Sequence, residues 1–520
     1  MWSRRAEPTV SQGGGLFCFR NKFANKPRIH TSLFRPFFLR IIPPKTPART
    51  VSYPASMASK YPSLLFLLLA ASSLLSTTAN FDAPGLAKDA DFIDELPNQP
   101  ESADFRQYAG YIVVEPINER RYFYYFVEAT GLNPASKPLI LYIGTHVVDL
   151  QGSALLSAFQ QVGPYSVGDD GQTLYSNPYS WNKFANVLFM EGPVGVGFSV
   201  SSNGQDIYKC SDLQLIDETY KFLLGWMQRF PEHRNADIYL AGQSYAGVLG
   251  PGVATYILFK NSQPNATHVN VRGILMGNPT LDVDLEFAVR VDSSYQMNIL
   301  SEEIRDEHHR LCGSRDPAKY TDCLKPLQEE SLARYALDDN SVYAKFCPNI
   351  DLASVGLDNF KTTVYDCVDQ YVAGYLNIPF VQGVMHAEGP AWGPAIWQPY
   401  ARSLEFSRNI TDSTIFLLRA LGEGVRALIY SGVLDREAII PTEEYIKKLN
   451  FTIASEWRPW FDNSVQVAGF TETYREGLTY ATVRGAGKKV MADKPRCGFI
   501  LANSFVTNSH LPRSNFELPV

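Results

Sequence analysis

The stretch AGQSYAGVLGP, residues 241–251, places Ser244 at the end of an apolar run and two residues after Gly242. It matches in part the pattern G-x-S-x-G, a sharp turn from strand to helix that exposes a nucleophilic serine. Only the first glycine is present, because Ala246 stands where the second would be. The preceding segment NADIYLAGQ reads as a short buried strand, which is the context that the motif requires. Taken alone, these residues make Ser244 either a nucleophile or a polar residue in a turn.

Similar apolar runs recur along the chain and end in glycine or a turn. They are PLILYIG, ANVLFMEG, DIYLAG, VRGILMGN and RALIYSG. Helical patterns such as LIDETYKFLLGWMQRF lie between some of them. This alternation predicts an α/β fold with a mostly parallel central sheet and helices on both faces. Sites in such sheets lie beyond the carboxyl ends of the strands, where Ser244 falls.

Composition narrows the class of protein. The 520 residues are 45% hydrophobic and 13% aromatic, which is typical of a packed globular protein. The formal net charge of −6 argues against a nucleic-acid partner, since nucleic-acid binders are usually basic. No cysteines have C-x-x-C spacing, and neither a metal nor a cofactor is expected.

The N-terminal region has the layout of a leader. From Met57, MASKYPSLLFLLLAASSLLSTTAN has a lysine, a short apolar run and then small residues, which predicts a signal peptide over 57–79. Residues 1–56 are interpreted as a start-site extension, with a transit peptide as the alternative. The mature chain would then begin near Asn80. We therefore expect a protein of the secretory pathway, extracellular or vacuolar.

Three N-glycosylation triplets agree with secretion. They begin at Asn265, Asn409 and Asn450. After the leader, no segment has the long apolar run of a membrane span. The mature chain is therefore expected to lack one.

Four cysteines cluster in a turn-rich, charged segment, as expected for an oxidising compartment. They are Cys312, Cys323, Cys347 and Cys367. Pairing the first two and the last two would staple this region, each bond contributing about 2–4 kcal/mol. The sequence leaves the connectivity open.

Several longer segments occur in the order of the landmarks of one family. They include FRQYAGYIVV, NPYSWNKFANVLFMEGPVGVGFS, FLLGWMQRFPEHRNADIYLAGQSYAG, GILMGNPTLD, YLNIPFVQGVMHA and YATVRGAG. Over nearly all of residues 92–505 the chain resembles the serine carboxypeptidases, particularly the plant members. After the predicted leader at 1–79, the resemblance implies an α/β-hydrolase core at 80–284 and 366–520, and an inserted, disulfide-linked cap region at 285–365. It also implies release of C-terminal residues from peptides through Ser244.

Two positions of the family's catalytic triad differ here. The family uses serine, aspartate and histidine in that chain order. In YSGVLDREAIIP, Val433 occupies the place of the aspartate. In VRGAGKKV, Lys488 occupies the place of the histidine.

The oxyanion and substrate region differs as well. The family's Asn-Gly-Gly-Pro-Gly-Cys turn, which supplies an oxyanion-hole amide and helps hold the substrate carboxylate, reads GTHVVD here. Asp149 therefore replaces the cysteine, and a glutamine replaces the carboxylate-binding glutamate before the serine. By this resemblance, the oxyanion and substrate region of this chain consists of Gly144, Thr145, His146, Gln243 and Tyr245.

These replacements predict an inactive binding homologue. A serine hydroxyl needs a nearby base, and a lysine with an ordinary pKa of about 10.4 is protonated near neutral pH. The ligand would be a peptide C-terminus, a small acyl compound or a protein partner. The alternative is a weak or altered carboxypeptidase or acyltransferase that still uses Ser244. The base of that enzyme would be Lys488 or His146. Asp435, two residues after Val433, more simply has a turn or surface role.

Overall fold

The computed structural model describes residues 88–100, 103–147, 150–312, 320–335, 337, 341–343, 367–389, 396–400, 404–435, 439–462 and 466–513. The contacts between residues divide the chain into the units Met1–Thr78 and Ala79–Val520, and the described residues all belong to the second. The predicted start-site extension and signal peptide lie outside the described residues, and both stay predictions.

An eleven-stranded sheet forms the centre of the second unit, in the order β1-β2-β3-β9-β4-β11-β12-β14-β17-β16-β15. Three two-stranded sheets, β5-β6, β7-β8 and β10-β13, accompany it. The strands are β1 (Phe92–Ile93), β2 (Gln107–Glu115), β3 (Arg120–Val127), β4 (Leu139–Ile143), β5 (Thr145–Val147), β6 (Leu150–Gly152), β7 (Tyr165–Val167), β8 (Leu174–Ser176), β9 (Asn186–Met190), β10 (Lys209–Ser211), β11 (Ile238–Gln243), β12 (Val271–Gly277), β13 (Glu405–Ser407), β14 (Arg426–Gly432), β15 (Ile453–Phe461), β16 (Val467–Tyr474) and β17 (Leu478–Val483).

Helices connect these strands. They are α1 (Ala154–Gln160), α2 (Asp212–Arg229), α3 (Ala246–Asn261), α4 (Val283–Gln296), α5 (Glu302–Cys312), α6 (Tyr320–Tyr335), α7 (Cys367–Leu376), α8 (Pro379–Val384), α9 (Thr414–Gly422), α10 (Ile439–Leu449), α11 (Val490–Asp493) and α12 (Pro495–Val506). In the part of the chain that the structure describes, no helix is both long and apolar enough to cross a bilayer.

The centre of the sheet is parallel. The pairs β9-β4, β4-β11, β11-β12, β12-β14 and β14-β17 all run parallel, and the strands beyond them on both sides are antiparallel. All five predicted apolar runs form strands of this centre, namely β4, β9, β11, β12 and β14. Every residue of β4 and β9 is buried, as expected for parallel strands covered on both faces. The predicted α/β fold is confirmed.

Strand register places several loops at one edge of the sheet. Gln243 of β11 lies opposite Gly277 of β12, and Gly432 of β14 lies opposite Val483 of β17. Because these strands are parallel, their carboxyl ends meet at the same edge. The residues that follow them are therefore neighbours there.

Part of the predicted cap region lies between β12 and β14. Helices α4 and α6 share a small core of Val291, Leu300 and Leu327. Arg290 of α4 forms an ion pair with the buried Glu330 of α6. The predicted boundaries of the region, 285 and 365, stay predictions.

The predicted disulfides fall largely outside the described side chains. Cys312 at the end of α5 is disulfide-bonded. Its partner and the side chains of Cys323, Cys347 and Cys367 lie outside the description. Cys210 and Cys497 are buried free thiols. The connectivity therefore stays a prediction.

Candidate active site

Ser244 lies in a tight turn between β11, which ends at Gln243, and α3, which begins at Ala246. Its φ of 54° is in the left-handed region, which costs a residue other than glycine about 1–2 kcal/mol. The turn is tied to the end of β12, because the Ser244 amide donates to Gly277 O at 2.9 Å and Thr280 N donates to Ser244 O at 2.9 Å. The strand, strained serine and helix of a nucleophile elbow are all present.

The residue after the serine is firmly anchored. Tyr245 is 1% exposed, and its hydroxyl donates to Asp212 Oδ1 at 2.6 Å. The other oxygen of Asp212 accepts from the amides of Asn409 and Ile410 at 2.6 and 2.9 Å. Burial and the neighbouring Asp212 carboxylate both raise the pKa of Tyr245, so its hydroxyl remains a neutral donor. This network fixes the backbone amide that the family resemblance assigns to the oxyanion hole.

Val433 and Lys488, the predicted triad positions, lie on loops that are hydrogen-bonded to each other. Val433 follows β14, is half-buried and donates its amide to Val483 O at 3.1 Å. The next residue, Leu434, donates to Ala486 O at 2.8 Å. Lys488 follows on the same loop after β17 and is 5% exposed. Both positions therefore lie at the edge of the sheet that carries the serine turn.

The Ser244 hydroxyl lacks a hydrogen-bonded base among the residues that the structure describes. Its side chain is buried, at 5% exposure, yet Oγ makes no hydrogen bond within this set. Val433 offers no polar atom at the position of the orienting carboxylate. Among the described residues, no hydrogen-bonded group is therefore in place to take the proton of Ser244.

Asp435 has a role in the structure of the loop. It is fully buried, and its Oδ2 accepts a hydrogen bond from Asn278 Nδ2 at 2.6 Å. The Asn278 amide donates to Tyr430 O at 2.7 Å, which joins the end of β12 to β14. The surface role that was one alternative for Asp435 is wrong, because this carboxylate fastens the turn after β14 from inside.

The loop after β4 has a conformation of its own. Thr145 pairs with Gly152 and Val147 with Leu150, so that β5 and β6 form a small hairpin. Gly144 has a φ of 37°, and a Cβ there would lie 2.4 Å from Gly152 O. The asparagine that the family carries at this position does not fit on this backbone. The side chains of Thr145 and His146, and all of Asp149, lie outside the described part.

Gln243 has a partner that the sequence did not reveal. Its Nε2 donates to Gln161 Oε1 at 2.7 Å, and both side chains are 3% exposed. Gln161 follows α1 and also donates to Ser157 Oγ at 3.3 Å. The one signal in the sequence was a pair of glutamines closing a fully buried apolar helix. Two buried amides, which carry no charge at any pH, are thus paired directly before Ser244.

The neighbouring glutamine belongs to a charged network. Gln160 Nε2 donates to Asp369 Oδ1 at 2.6 Å, and Tyr400 OH donates to Asp369 Oδ2 at 2.9 Å. Lys489, directly after Lys488, forms an ion pair with the same Asp369 and donates to Gln160 Oε1 at 3.2 Å. Both members of this pair are buried. Helices α1 and α7 and the loop after β17 are therefore held together by one carboxylate.

A second buried carboxylate directly follows β9. Glu191 is fully buried and accepts from Ser153 Oγ, from Trp397 Nε1 at 2.9 Å and from Phe198 N at 2.6 Å. Burial raises the pKa of Glu191 to about 7, and these donors oppose the shift. Ser153 also caps α1 by accepting from Leu155 N. Glu191 thus links the start of α1 to the turn after β9.

We expect Glu191 to make stability depend on pH. Its folded pKa, about 7, lies above the ordinary value of 4.5, so its contribution is fully present below pH 4.5. It is lost as the pH rises to about 7, because the unfolded chain releases this proton first; the total is roughly 3 kcal/mol. Urea unfolding gives the free energy of unfolding of the wild type and of Glu191→Gln. The difference between the two values should shrink by that amount between pH 4 and 7.5.

The control for this prediction is Glu423→Gln, which removes an exposed carboxyl. The difference between its free energy of unfolding and that of the wild type should change little over the same pH range. A difference between the free energies of unfolding of the wild type and Glu191→Gln that is flat from pH 4 to 7.5 would mean that folded Glu191 keeps its ordinary pKa.

The glycosylation triplets lie on the surface. Asn265, Asn409 and Asn450 are all exposed. Their positions are compatible with attached glycans, and their modification stays a prediction.

Comparison with known proteins agrees with this fold and identifies the family. The sequence profile described as serine carboxypeptidase matches residues 97–508. Serine carboxypeptidase-like 38 of Arabidopsis thaliana is 39% identical over 444 residues, covering 82% of this chain and 88% of that protein. Serine carboxypeptidase-like 36 from the same plant is 37% identical over 439 residues, with 82% and 88% covered.

A solved structure gives the same fold. Kex1(delta)p, a prohormone-processing carboxypeptidase from Saccharomyces cerevisiae, superposes with a TM-score of 0.67 at 20% identity. The superposition covers 81% of this chain and 96% of that one. Together with the parallel sheet and the serine turn, it shows the α/β-hydrolase fold. With the profile match spanning most of its length, the chain belongs to the serine carboxypeptidase family.

Proposed function

We propose that this protein binds a ligand in the cleft beside Ser244 and does not hydrolyse peptides efficiently. The observation that carries the proposal is the state of the serine, which sits in a strained elbow yet meets no base among the described residues. In well-studied triads, loss of the base lowers turnover about 10⁶-fold. The replacement of both the base and its orienter, by Lys488 and Val433, supports a binding homologue.

The two uncharged amides of Gln243 and Gln161 favour a ligand with a neutral polar end. Gln243 and Gln161 form a pair of buried amides where the family resemblance puts a carboxylate-binding glutamate. Each amide offers both a donor and an acceptor. A peptide end or small acyl compound would therefore be recognised through carbonyl and amide groups. A protein partner that inserts such a group is a further form of the same proposal.

The leader and the exposed glycosylation triplets support a location in the secretory pathway. The signal-peptide layout at 57–79 and the exposed Asn265, Asn409 and Asn450 support an extracellular or vacuolar protein. Digestion with an N-glycosidase should lower the apparent mass of the native protein. An unchanged mass would count against passage through the secretory pathway.

A second candidate is an altered hydrolase or acyltransferase that uses Ser244. The strained φ of 54° favours it, because a serine with only a binding role needs no such conformation. Lys488 or His146 would then have to serve as the base. The carboxypeptidase activity that the names of the relatives imply is part of this candidate.

Turnover measurements separate the two candidates. We expect the glycosylated protein from Asn80 onward and its Ser244→Ala variant to hydrolyse blocked dipeptides at the same background rate from pH 4 to 9. A fluorophosphonate probe, which reacts with activated serines, should label neither. Serine-dependent turnover would overturn the binding proposal, and loss of that rate in Lys488→Ala or His146→Ala would identify the base.

A further inference from the structure

The ring of His233 is buried and makes no hydrogen bond to any described residue. The residue ends the short 3₁₀ turn Pro231–His233 and is 1% exposed. Its ring lies between Phe126 and Trp226, with centroid distances of 5.4 and 5.6 Å. Neither Nδ1 nor Nε2 has a partner in the described part of the chain. Packing explains the position of the ring, but it leaves two buried polar atoms unsatisfied, which native structures rarely tolerate.

Two carboxylates lie beside this ring. Glu128 follows β3 directly and is 2% exposed. Glu232 precedes His233 in the turn and is exposed. One nitrogen or oxygen atom from each of the three residues lies within 4.8 Å of the others. A buried imidazole aimed at two carboxylates is a donor set for a cation.

We propose that Glu128, Glu232 and His233 bind one divalent transition-metal ion, with Zn²⁺ as the best match. One imidazole nitrogen and two carboxylate oxygens suit zinc, which takes three protein ligands and a water. Its bonds of about 2.0–2.2 Å require ligand atoms roughly 3.4 Å apart. Rotation of the exposed Glu232 side chain can shorten its distances to the other two ligand atoms.

The site lies far from the serine turn. Glu128 stands at the end of β3, which runs antiparallel to β9, and the Pro231–His233 turn precedes the start of β11. Both therefore lie at the edge of the sheet where the parallel strands begin, opposite the edge that carries Ser244. A metal here would join β3 to the connection between α2 and β11. We assign it a structural role.

Existing ion pairs set the conditions for binding. Arg106 Nε lies 2.9 Å from Glu128 Oε2, and Lys88 pairs with Glu232 Oε1. Each pair uses one oxygen of its carboxylate, and Arg106 is 57% exposed and free to turn towards water. The metal would replace these two cations as the counter-charge. Exposure of Glu232 gives the ion a route from solvent.

Zinc uptake by the full secreted protein tests the proposal. After treatment with EDTA and desalting, isothermal titration with ZnCl₂ should give one site per chain. His233→Phe, which keeps an aromatic ring between Phe126 and Trp226, should bind at least about 100-fold more weakly. The matched control His268→Phe removes an exposed histidine and should bind like the wild type. Co²⁺ in place of Zn²⁺ should give visible absorption bands that His233→Phe lacks.

Glu232→Gln provides a second variant that does not depend on refilling the core. Because its side chain is exposed, the change should leave the thermal unfolding of the zinc-free protein close to that of the wild type while weakening zinc binding at least about 10-fold. Equal zinc binding by the wild type, His233→Phe and Glu232→Gln would place the ion elsewhere and overturn the proposal. Failure of the wild type to bind Zn²⁺ at millimolar concentration would also overturn it.

Discussion

The double variant Val433→Asp/Lys488→His is expected to hydrolyse an activated ester about 10³-fold faster than the wild type. Restoring the base and its orienter recovers a triad whose loss costs about 10⁶-fold, while one defective oxyanion donor costs about 10²–10³-fold. The loop at Gly144 keeps its altered conformation in this variant, so recovery should be partial. A small ester is the suitable substrate, because Gln243 no longer offers a carboxylate-binding glutamate. Stopped-flow or steady-state release of p-nitrophenol measures the rate.

The matched control is Val433→Asn/Lys488→His. Asparagine has the shape of aspartate but holds the histidine in the wrong tautomer, which costs about 10⁴-fold in a well-studied triad. This control and a Ser244→Ala derivative of the double variant should both remain near background. An active Asn variant would show that the gain does not come from a triad. A double variant no faster than its Ser244→Ala derivative would locate the defect in the Gly144 loop.

The central strands could be predicted because burial on both faces leaves a continuous apolar run. LILYI of β4 and NVLFM of β9 are of this kind, and every residue in them is buried. The edge strand β15 gives no such signal, since IASEWRPWF is largely exposed and contains Pro459. Its pairing to β16 is decided by the chain reversal and by stacking of Trp457 on Phe470. Patterns of single strands therefore predicted the centre of the sheet and not its extent.

The serine turn could be predicted because its signal is local. The contacts around it could not, because they join residues far apart in the chain. Gln160 and Asp369 are 209 positions apart, and Gln161 and Gln243 are 82 apart. Only the topology of the sheet and its connections brings such side chains together. For the same reason no metal was expected from the sequence, where Glu128 is distant from the Glu232–His233 pair.

The second large effect concerns the ion pair between Lys489 and Asp369. We expect Asp369→Asn to lower the free energy of unfolding by about 3–5 kcal/mol, because it removes the carboxylate that pairs with a buried ammonium group. It also replaces an acceptor of the Gln160 and Tyr400 hydrogen bonds with an amide. Lys489→Met should cost less, because these two donors still stabilise the carboxylate. Urea unfolding of the three proteins gives the comparison.

The paired replacement Asp369→Leu/Lys489→Met distinguishes loss of the pair from loss of packing. Replacing both members removes both buried charges together. The loss of unfolding free energy in the double variant should therefore be smaller, by about 1–3 kcal/mol, than the summed losses of Asp369→Leu and Lys489→Met. Equal costs for Asp369→Asn and an exposed control, Asp237→Asn, would contradict the assignment. Because Lys489 directly follows Lys488, stability gained from the pair also holds Lys488 in place. The predicted base position is thus part of a loop that the buried ion pair stabilises.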